Sequence, residues 1–207
     1  DLKLIKIALN NKTLNQEQYE ISENTLTITS PLPDAFSLQI TTEIDPKNNT
    51  SLNGLYCSNN MYCTQCESHG FRRITYYLDR PDVMSIFTTK IIADKTKYPI
   101  LLSNGNLIEK KELPNNKHYA LWQDPFKKPS YLFALVAGDL AVVTDTFTTM
   151  SGRTVELELY SEPNLINQCH YGLEALKDSM LWDEQKFGRE YDLDLYMIVA
   201  VSDFNMG

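Results

Sequence analysis

Apolar and polar residues alternate in short bursts along the first two-thirds of the chain, the period of half-buried strands. Leu2–Ala8 carries this pattern, and Asn10-Asn11 predicts the turn that ends it. Tyr19–Ile21 and Thr25–Ile28 are short strand candidates, the second stopped by Pro31-Leu32-Pro33-Asp34. Phe36, Leu38, Ile40 and Ile44 fall at even spacing and predict a strand over Phe36–Ile44; Phe87–Ile92 predicts another. Pro99–Leu102 and Leu107–Lys111 flank Ser103-Asn104-Gly105-Asn106, whose Asn-Gly pair predicts a hairpin. Pro114-Asn115-Asn116 turns into a strand at His118–Trp122, and Asp124-Pro125-Phe126 reads as a further turn with a packed aromatic. Tyr131–Ala137 is almost wholly apolar and predicts a buried strand. Strands at this spacing, divided by polar turns, predict a mainly β fold, either a sandwich or an open curved antiparallel sheet.

The pattern changes after Gly138. Val142–Thr148, the turn Ser151-Gly152-Arg153 and Val155–Tyr160 predict one more hairpin. Asn164–Phe187 then has a helical period, with Cys169, Leu173, Leu176, Met180 and Phe187 on one face and Gly188 as its stop. Asp183, Glu184, Glu190, Asp192 and Asp194 read as a solvated helix face and strand entry. Leu193–Val201 is apolar except for Asp194, the pattern of a central strand buried on both faces. Too little sequence follows it to supply partners and cover, so truncation is expected. Asp1–Leu9 lacks the basic start and cleavage site of a signal peptide and already reads as strand. The start of the chain is therefore expected to lie inside a larger protein.

Composition narrows the function classes. With 43% hydrophobic and 22% charged residues over 207 positions, the chain is an ordinary globular sequence, able to offset the entropy of ordering. Its net charge of −8, with no strongly basic segment, argues against nucleic acid as a partner. No apolar run approaches the roughly 20 residues needed to span a bilayer, so no membrane partner is expected. Cys57, Cys63 and Cys66 cluster just before His69, and Cys169 stands apart. Reduced thiols in a cytoplasmic protein are the simpler reading; a structural zinc site on Cys57, Cys63, Cys66 and His69 is the alternative. His69, His118 and His170 occur in no H-E-x-x-H motif, and the chain has no G-x-S-x-G, G-x-x-x-x-G-K or G-x-G-x-x-G sequence. Each histidine reads as a surface or packing residue.

One polar segment stands out, Cys63-Thr64-Gln65-Cys66-Glu67-Ser68-His69-Gly70-Phe71-Arg72-Arg73. In extended backbone Gln65 and Glu67 project to the same side. A carboxylate beside an amide oxygen makes a receptor for an ammonium group, one supplying charge and the other a directed acceptor. The competing reading is a solvated loop in which Arg72 or Arg73 pairs with Glu67. Further on, Tyr76-Tyr77-Leu78 looks like core, and Asp79-Arg80-Pro81-Asp82 predicts a turn followed by a helical start.

Several stretches resemble a known family. They are Thr64-Gln65-Cys66-Glu67, Arg72-Arg73-Ile74-Thr75-Tyr76-Tyr77-Leu78-Asp79-Arg80-Pro81-Asp82-Val83, Phe87–Ala93, Tyr98-Pro99, Leu102–Asn106, Leu132–Asp139, and Tyr191–Asp194 through to Asn205-Met206-Gly207. The resemblance is to the bacterial aminopeptidase N branch (alanyl aminopeptidases) of the zinc-dependent, thermolysin-like exopeptidases, and it covers nearly the whole chain. Other branches carry Phe-Pro-Cys-x-Asp-Glu-Pro where this chain has Ile74–Pro81. The resemblance implies an N-terminal β-saddle domain over residues 1–139, its first strands missing. It implies the first α+β elements of a thermolysin-like catalytic domain over 140–207.

Gly207 would open the family's Gly-Ala-Met-Glu-Asn motif. The rest of that motif, the H-E-x-x-H helix, the third zinc ligand and the transition-state tyrosine would lie beyond it. By the same resemblance Glu67 binds the α-amine of the substrate and Gln65 lines that pocket. Met206 cushions the first side chain, and Gly207 offers backbone groups. The implied parent is a cytoplasmic, monomeric hydrolase acting on peptides with a free N-terminus. It would use zinc to polarise the scissile carbonyl and activate water. This part would hold no catalytic residue and no zinc, and would be inactive alone. Ser202-Asp203-Phe204 departs from the family's Asp-Phe-Phe. Two other readings remain: a stand-alone β-sandwich binding module without activity, and a small zinc domain built on the cysteines.

Overall fold

The computed structural model describes residues 2–23 and 25–204. In chain order its strands are β1 (Lys3–Leu9), β2 (Lys12–Thr13), β3 (Tyr19–Ile21), β4 (Leu26–Ile28), β5 (Leu38–Glu43), β6 (Gly54–Ser58), β7 (Met61–Gln65) and β8 (Ser85–Asp94). They continue with β9 (Ile100–Ser103), β10 (Asn106–Leu113), β11 (Lys117–Lys128), β12 (Leu135–Gly138), β13 (Ala141–Thr148), β14 (Thr154–Ser161) and β15 (Leu195–Val199). Among the described residues one α-helix, α1 (His170–Phe187), stands between β14 and β15. The protein is mainly β, as its alternating pattern implies, and most of its strand pairs are antiparallel.

The chain divides into two compact units. The first comprises Asp1–Cys57, Thr64–Met84 and Lys128–Phe133. In it β1 pairs with β2 on one side and β5 on the other. A bulge between Leu4 and Lys6 breaks the alternation: Ile5 turns out to solvent, and Ile7 and Ala8 are both buried. The turn at Asn10-Asn11 takes positive φ at both residues, the geometry that closes tight hairpins and that asparagine tolerates. β3 and β4 form a separate small hairpin. Thr42 Oγ1 donates to the Ile74 carbonyl at 2.9 Å and so ties β5 to the chain that follows β7.

The second unit comprises Ser58–Cys63, Ser85–Lys127 and Ala134–Gly207. β10, β11 and β8 form one sheet, in that order, and β12 pairs with β9 and with Tyr62 and Cys63 of β7. β13 and β14 form the expected hairpin, and β15 adds to β14 in parallel. The helix lays Leu173, Leu176 and Met180 on Val155, Leu157 and Leu159 of β14. Each such buried side chain contributes roughly 1.5–3 kcal/mol.

Several local expectations give way to longer-range pairing. Asn104-Gly105 makes no hairpin: β9 pairs with β12 and β10 with β11, so the turn carries the chain from one sheet to another. Gly105 has φ of +89°, and a Cβ there would stand 2.1 Å from the Gln123 carbonyl oxygen, so the turn needs glycine for this close approach rather than for a hairpin. Strand β11 runs straight through Asp124-Pro125. The ladder to β10 ends at Gln123, so on that side the missing proline N–H costs no bond. Tyr131–Ala137 is not one strand; residues 130–132 are a 3-10 turn and the strand starts at Leu135. No helix starts after Asp79, and Arg80 closes on Asp82 through two hydrogen bonds.

The buried stripe of α1 ends in Glu184, not Phe187, which is 61% exposed. Glu184 accepts the Met150 N–H, Glu190 accepts the N–H and Oγ–H of Ser151, and Arg153 donates to the carbonyls of Tyr191 and Leu193. These residues brace the β13–β14 turn and are not merely a solvated acidic face. Among the described residues β15 is an edge strand, half-buried along its length, where a central strand was expected.

Candidate functional site

Strand β7 alternates cleanly: Met61, Cys63 and Gln65 point inward, and Tyr62 and Thr64 are half-buried. That alternation sets an amide at the inner end of the strand, with Gln65 only 4% exposed. The chain then leaves the sheet. Cys66 stays buried, and Glu67 and Ser68, joined by a cis peptide bond, come to the surface. The Gly70 N–H closes the loop on the Cys66 carbonyl at 2.7 Å, and residues 71–73 form a 3-10 turn.

Gly70 is required by closeness rather than by φ. A Cβ on it would lie 2.3 Å from Asn53 Oδ1, 2.4 Å from the Gln65 carbonyl oxygen and 2.8 Å from Cys66 Cα. Two of these atoms are backbone and cannot swing away. Gly70→Ala is expected to cost about 3 kcal/mol, the upper end for overpacking. Gly152→Ala, where a Cβ meets nothing within 4 Å but φ is +86°, is expected to cost only about 1 kcal/mol. Thermal unfolding midpoints of the two variants test this ranking, and equal midpoints would contradict it.

The far end of the loop is held by a buried carboxylate. Asp79 Oδ2 accepts the backbone N–H of Arg72 at 3.0 Å and its Nε–H at 3.1 Å; Oδ1 accepts the Ser130 hydroxyl at 2.5 Å. Burial pushes the Asp79 carboxyl up, but the bonds from Ser130 and Arg72 outweigh it and hold the group below its ordinary value. Phe71 packs edge-on against Tyr77 and Phe133, with centroids 5.0 and 5.1 Å apart. Arg72 thus belongs to Asp79, and among the described residues no cation pairs with Glu67. The loop therefore presents an exposed carboxylate on a backbone pinned at both ends. The two candidate receptor residues differ in setting, Gln65 inside and Glu67 outside. Met206 and Gly207 lie outside the described residues.

The remaining candidates have other uses. Burial pushes the Cys66 thiol up to about 12, and the Asp79 charge adds to the effect, so it stays protonated near neutral pH and is a poor nucleophile. The cysteines are free, and among the described residues no three His, Cys, Asp or Glu gather as a metal site. His118 Nε2–H donates to the Tyr98 carbonyl, and His69 Nδ1 lies 2.9 Å from Ser68 Oγ. The Asp79–Arg72–Ser130 group escaped the sequence reading. Its one signal was the charged Asp79 directly after an apolar Tyr-Tyr-Leu run, and Ser130 lies 51 residues away.

The chain is matched over residues 3–132 by the family model of the peptidase M1 N-terminal domain. It is 58% identical over 207 residues to aminopeptidase N of Escherichia coli, covering 100% of this chain and 23% of that protein. To aminopeptidase N of Caulobacter vibrioides it is 53% identical over 206 residues, covering 100% and 24%. Among solved structures it superposes on Legionella pneumophila aminopeptidase A, crystallised in complex with aspartic acid, with a TM-score of 0.95 at 39% identity. That match covers 100% of this chain and 24% of the other. The chain thus spans about a quarter of the length of these relatives.

Proposed function

The chain belongs to the M1 peptidase family, whose N-terminal domain it carries, and we propose from this that it is the opening part of an aminopeptidase that removes residues one at a time from free peptide N-termini. The observation that carries the reading is 58% identity to a bacterial aminopeptidase N along its whole length. In this reading residues 1–139 are the β-saddle domain and 140–207 begin the thermolysin-like catalytic domain.

The proposed task of this part is to hold the α-amine of the substrate. Glu67 binds the ammonium group through its carboxylate, and Gln65 lines the same pocket. Met206 supports the first side chain, and Gly207 offers backbone hydrogen-bonding groups. Support for Glu67 comes from its exposure, from the lack of a competing cation among the described residues, and from the rigid loop that carries it. The pinned backbone limits where the carboxylate can reach, and the exposed side chain, unpartnered among the described residues, is left free to meet the ammonium. An anchored α-ammonium also sets the register of the peptide, so only its first bond can meet the catalytic groups.

Zinc is the proposed cofactor of the full-length enzyme. The residues described here do not fit it, since no three potential ligands gather. This chain's residues bind and orient, and the isolated chain is proposed to be inactive. No described helix is long and apolar enough to cross a membrane; a cytoplasmic, monomeric enzyme is the proposed setting.

The experiment is to express the full-length polypeptide and follow a tripeptide with and without an N-terminal acetyl group. Stepwise release of the first residue from the free peptide alone is expected. Internal cleavage, or no cleavage, would contradict the reading.

A further inference from the structure

We propose that Ser58, Asn59 and Glu162 form a polar latch that positions the segment entering Met206 and Gly207, and so tunes which first residue the enzyme accepts. The inference rests on the reading above, in which Met206 supports the first side chain of the substrate.

The last strand bond in this region runs from the Ala200 N–H to the Tyr160 carbonyl at 2.9 Å. Beyond it the chain leaves the β14–β15 ladder, and side chains take over. Ser58, 2% exposed, donates its hydroxyl to Asp203 Oδ2 at 2.7 Å and accepts the Asp203 N–H at 3.3 Å. Glu162, just past β14, receives two donors on one oxygen, Ser202 Oγ–H at 2.7 Å and Asn59 Nδ2–H at 3.0 Å. These two bonds hold its carboxyl below its ordinary value, Ser202 contributing most. Ser58 and Asn59 sit together at the turn between β6 and β7, where Asn59 and Asn60 both take positive φ. A single tight turn and the end of one strand therefore grip two successive residues of the segment.

The gripped residues are the ones at which this sequence departs from the family pattern. An Asp-Phe pair in place of Ser202-Asp203 would lose the two side-chain bonds of this segment and keep only the backbone N–H of residue 203 on Ser58. An aspartate at 202 would set a second carboxylate against Glu162, and a phenylalanine at 203 has no acceptor for the Ser58 hydroxyl. The latch is thus a feature of this chain's own substitutions. Substrate-contacting groups are sensitive to such support, since a misplacement of about 1 Å can cost on the order of 100-fold. Loosening the latch should alter discrimination between first residues rather than abolish turnover.

The test uses the full-length enzyme and its Asp203→Ala, Ser202→Ala and Asn59→Asp variants. Asn59→Asp keeps a residue that tolerates positive φ and opposes Glu162 with a like charge. kcat and KM are measured for alanine and leucine p-nitroanilides, with thermal midpoints alongside. The ratio of the two kcat/KM values is expected to change by about threefold or more in each variant, carried by KM. Ser202→Thr, which keeps the hydroxyl, is expected to retain the wild-type ratio. Equal losses on both substrates, or no change on either, would overturn the latch. If Asp203→Ala does not fold, the exposed positions 202 and 59 decide the matter. A wild-type enzyme that cleaves neither substrate overturns the aminopeptidase reading itself, a separate outcome.

Discussion

Replacing Glu67 with alanine in the full-length enzyme is expected to lower kcat/KM for a free-amine substrate on the order of 100-fold, the loss of one charge-assisted contact made in the transition state. Glu67→Gln should recover only part of this, because it keeps an acceptor oxygen but loses the charge. The fold should be untouched: among the described residues the Glu67 side chain has no partner, and it faces solvent. Steady-state kinetics together with an unchanged thermal midpoint are the check. Unchanged catalytic efficiency would remove Glu67 from the site.

The second large effect is on stability. Asp79→Ala should destabilise the loop that carries Glu67 by about 2–3 kcal/mol, the range for leaving buried hydrogen-bond donors without their acceptor. It leaves the Ser130 hydroxyl and the Arg72 N–H without their acceptor. Because the folded carboxyl is held below its ordinary value of 3.8, its stabilisation is fully present above that pH. It is lost as the pH falls through the lower folded value. Hydrogen exchange of the peptide spanning residues 68–79 measures both effects. Protection in the wild type should fall on acidification below about pH 4 by more than intrinsic exchange explains, and Asp79→Ala should lack that acid-dependent component. Equal protection in the variant and the wild type would show that Asp79 does not hold the loop.

These two residues also mark how far the sequence can be read. β3, β4, the β13–β14 hairpin and α1 with its Gly188 stop follow from local period and turn chemistry alone. Partnership does not. Asn104-Gly105 carries a strong hairpin signal, yet β9 and β10 go to different sheets, because a turn reports local φ and not the strand that will lie alongside. Phe187 completes the helical stripe on paper, but the helix ends at the β13–β14 turn, where Glu184 can satisfy the Met150 amide and an aromatic ring cannot. In the candidate site Gln65 and Glu67 were legible as a polar break between strands. Their different exposure was not: alternation predicts a shared side only while the strand lasts, and β7 ends at Gln65. Asp79 was hidden because its partner Ser130 comes from a distant part of the chain, as partners of buried carboxylates often do.

The central claim is that Glu67 recognises the substrate's α-amine. The most direct measurement compares two inhibitors alike except for that amine, alanine hydroxamate and propionohydroxamate, on the wild-type enzyme and on Glu67→Ala. The account predicts that the wild type prefers the amine-bearing inhibitor by about 30-fold or more, and that the preference falls to within about threefold in the variant, with the affinity for propionohydroxamate unchanged. A preference for the amine that survives the loss of Glu67 would place the anchor elsewhere and contradict the account.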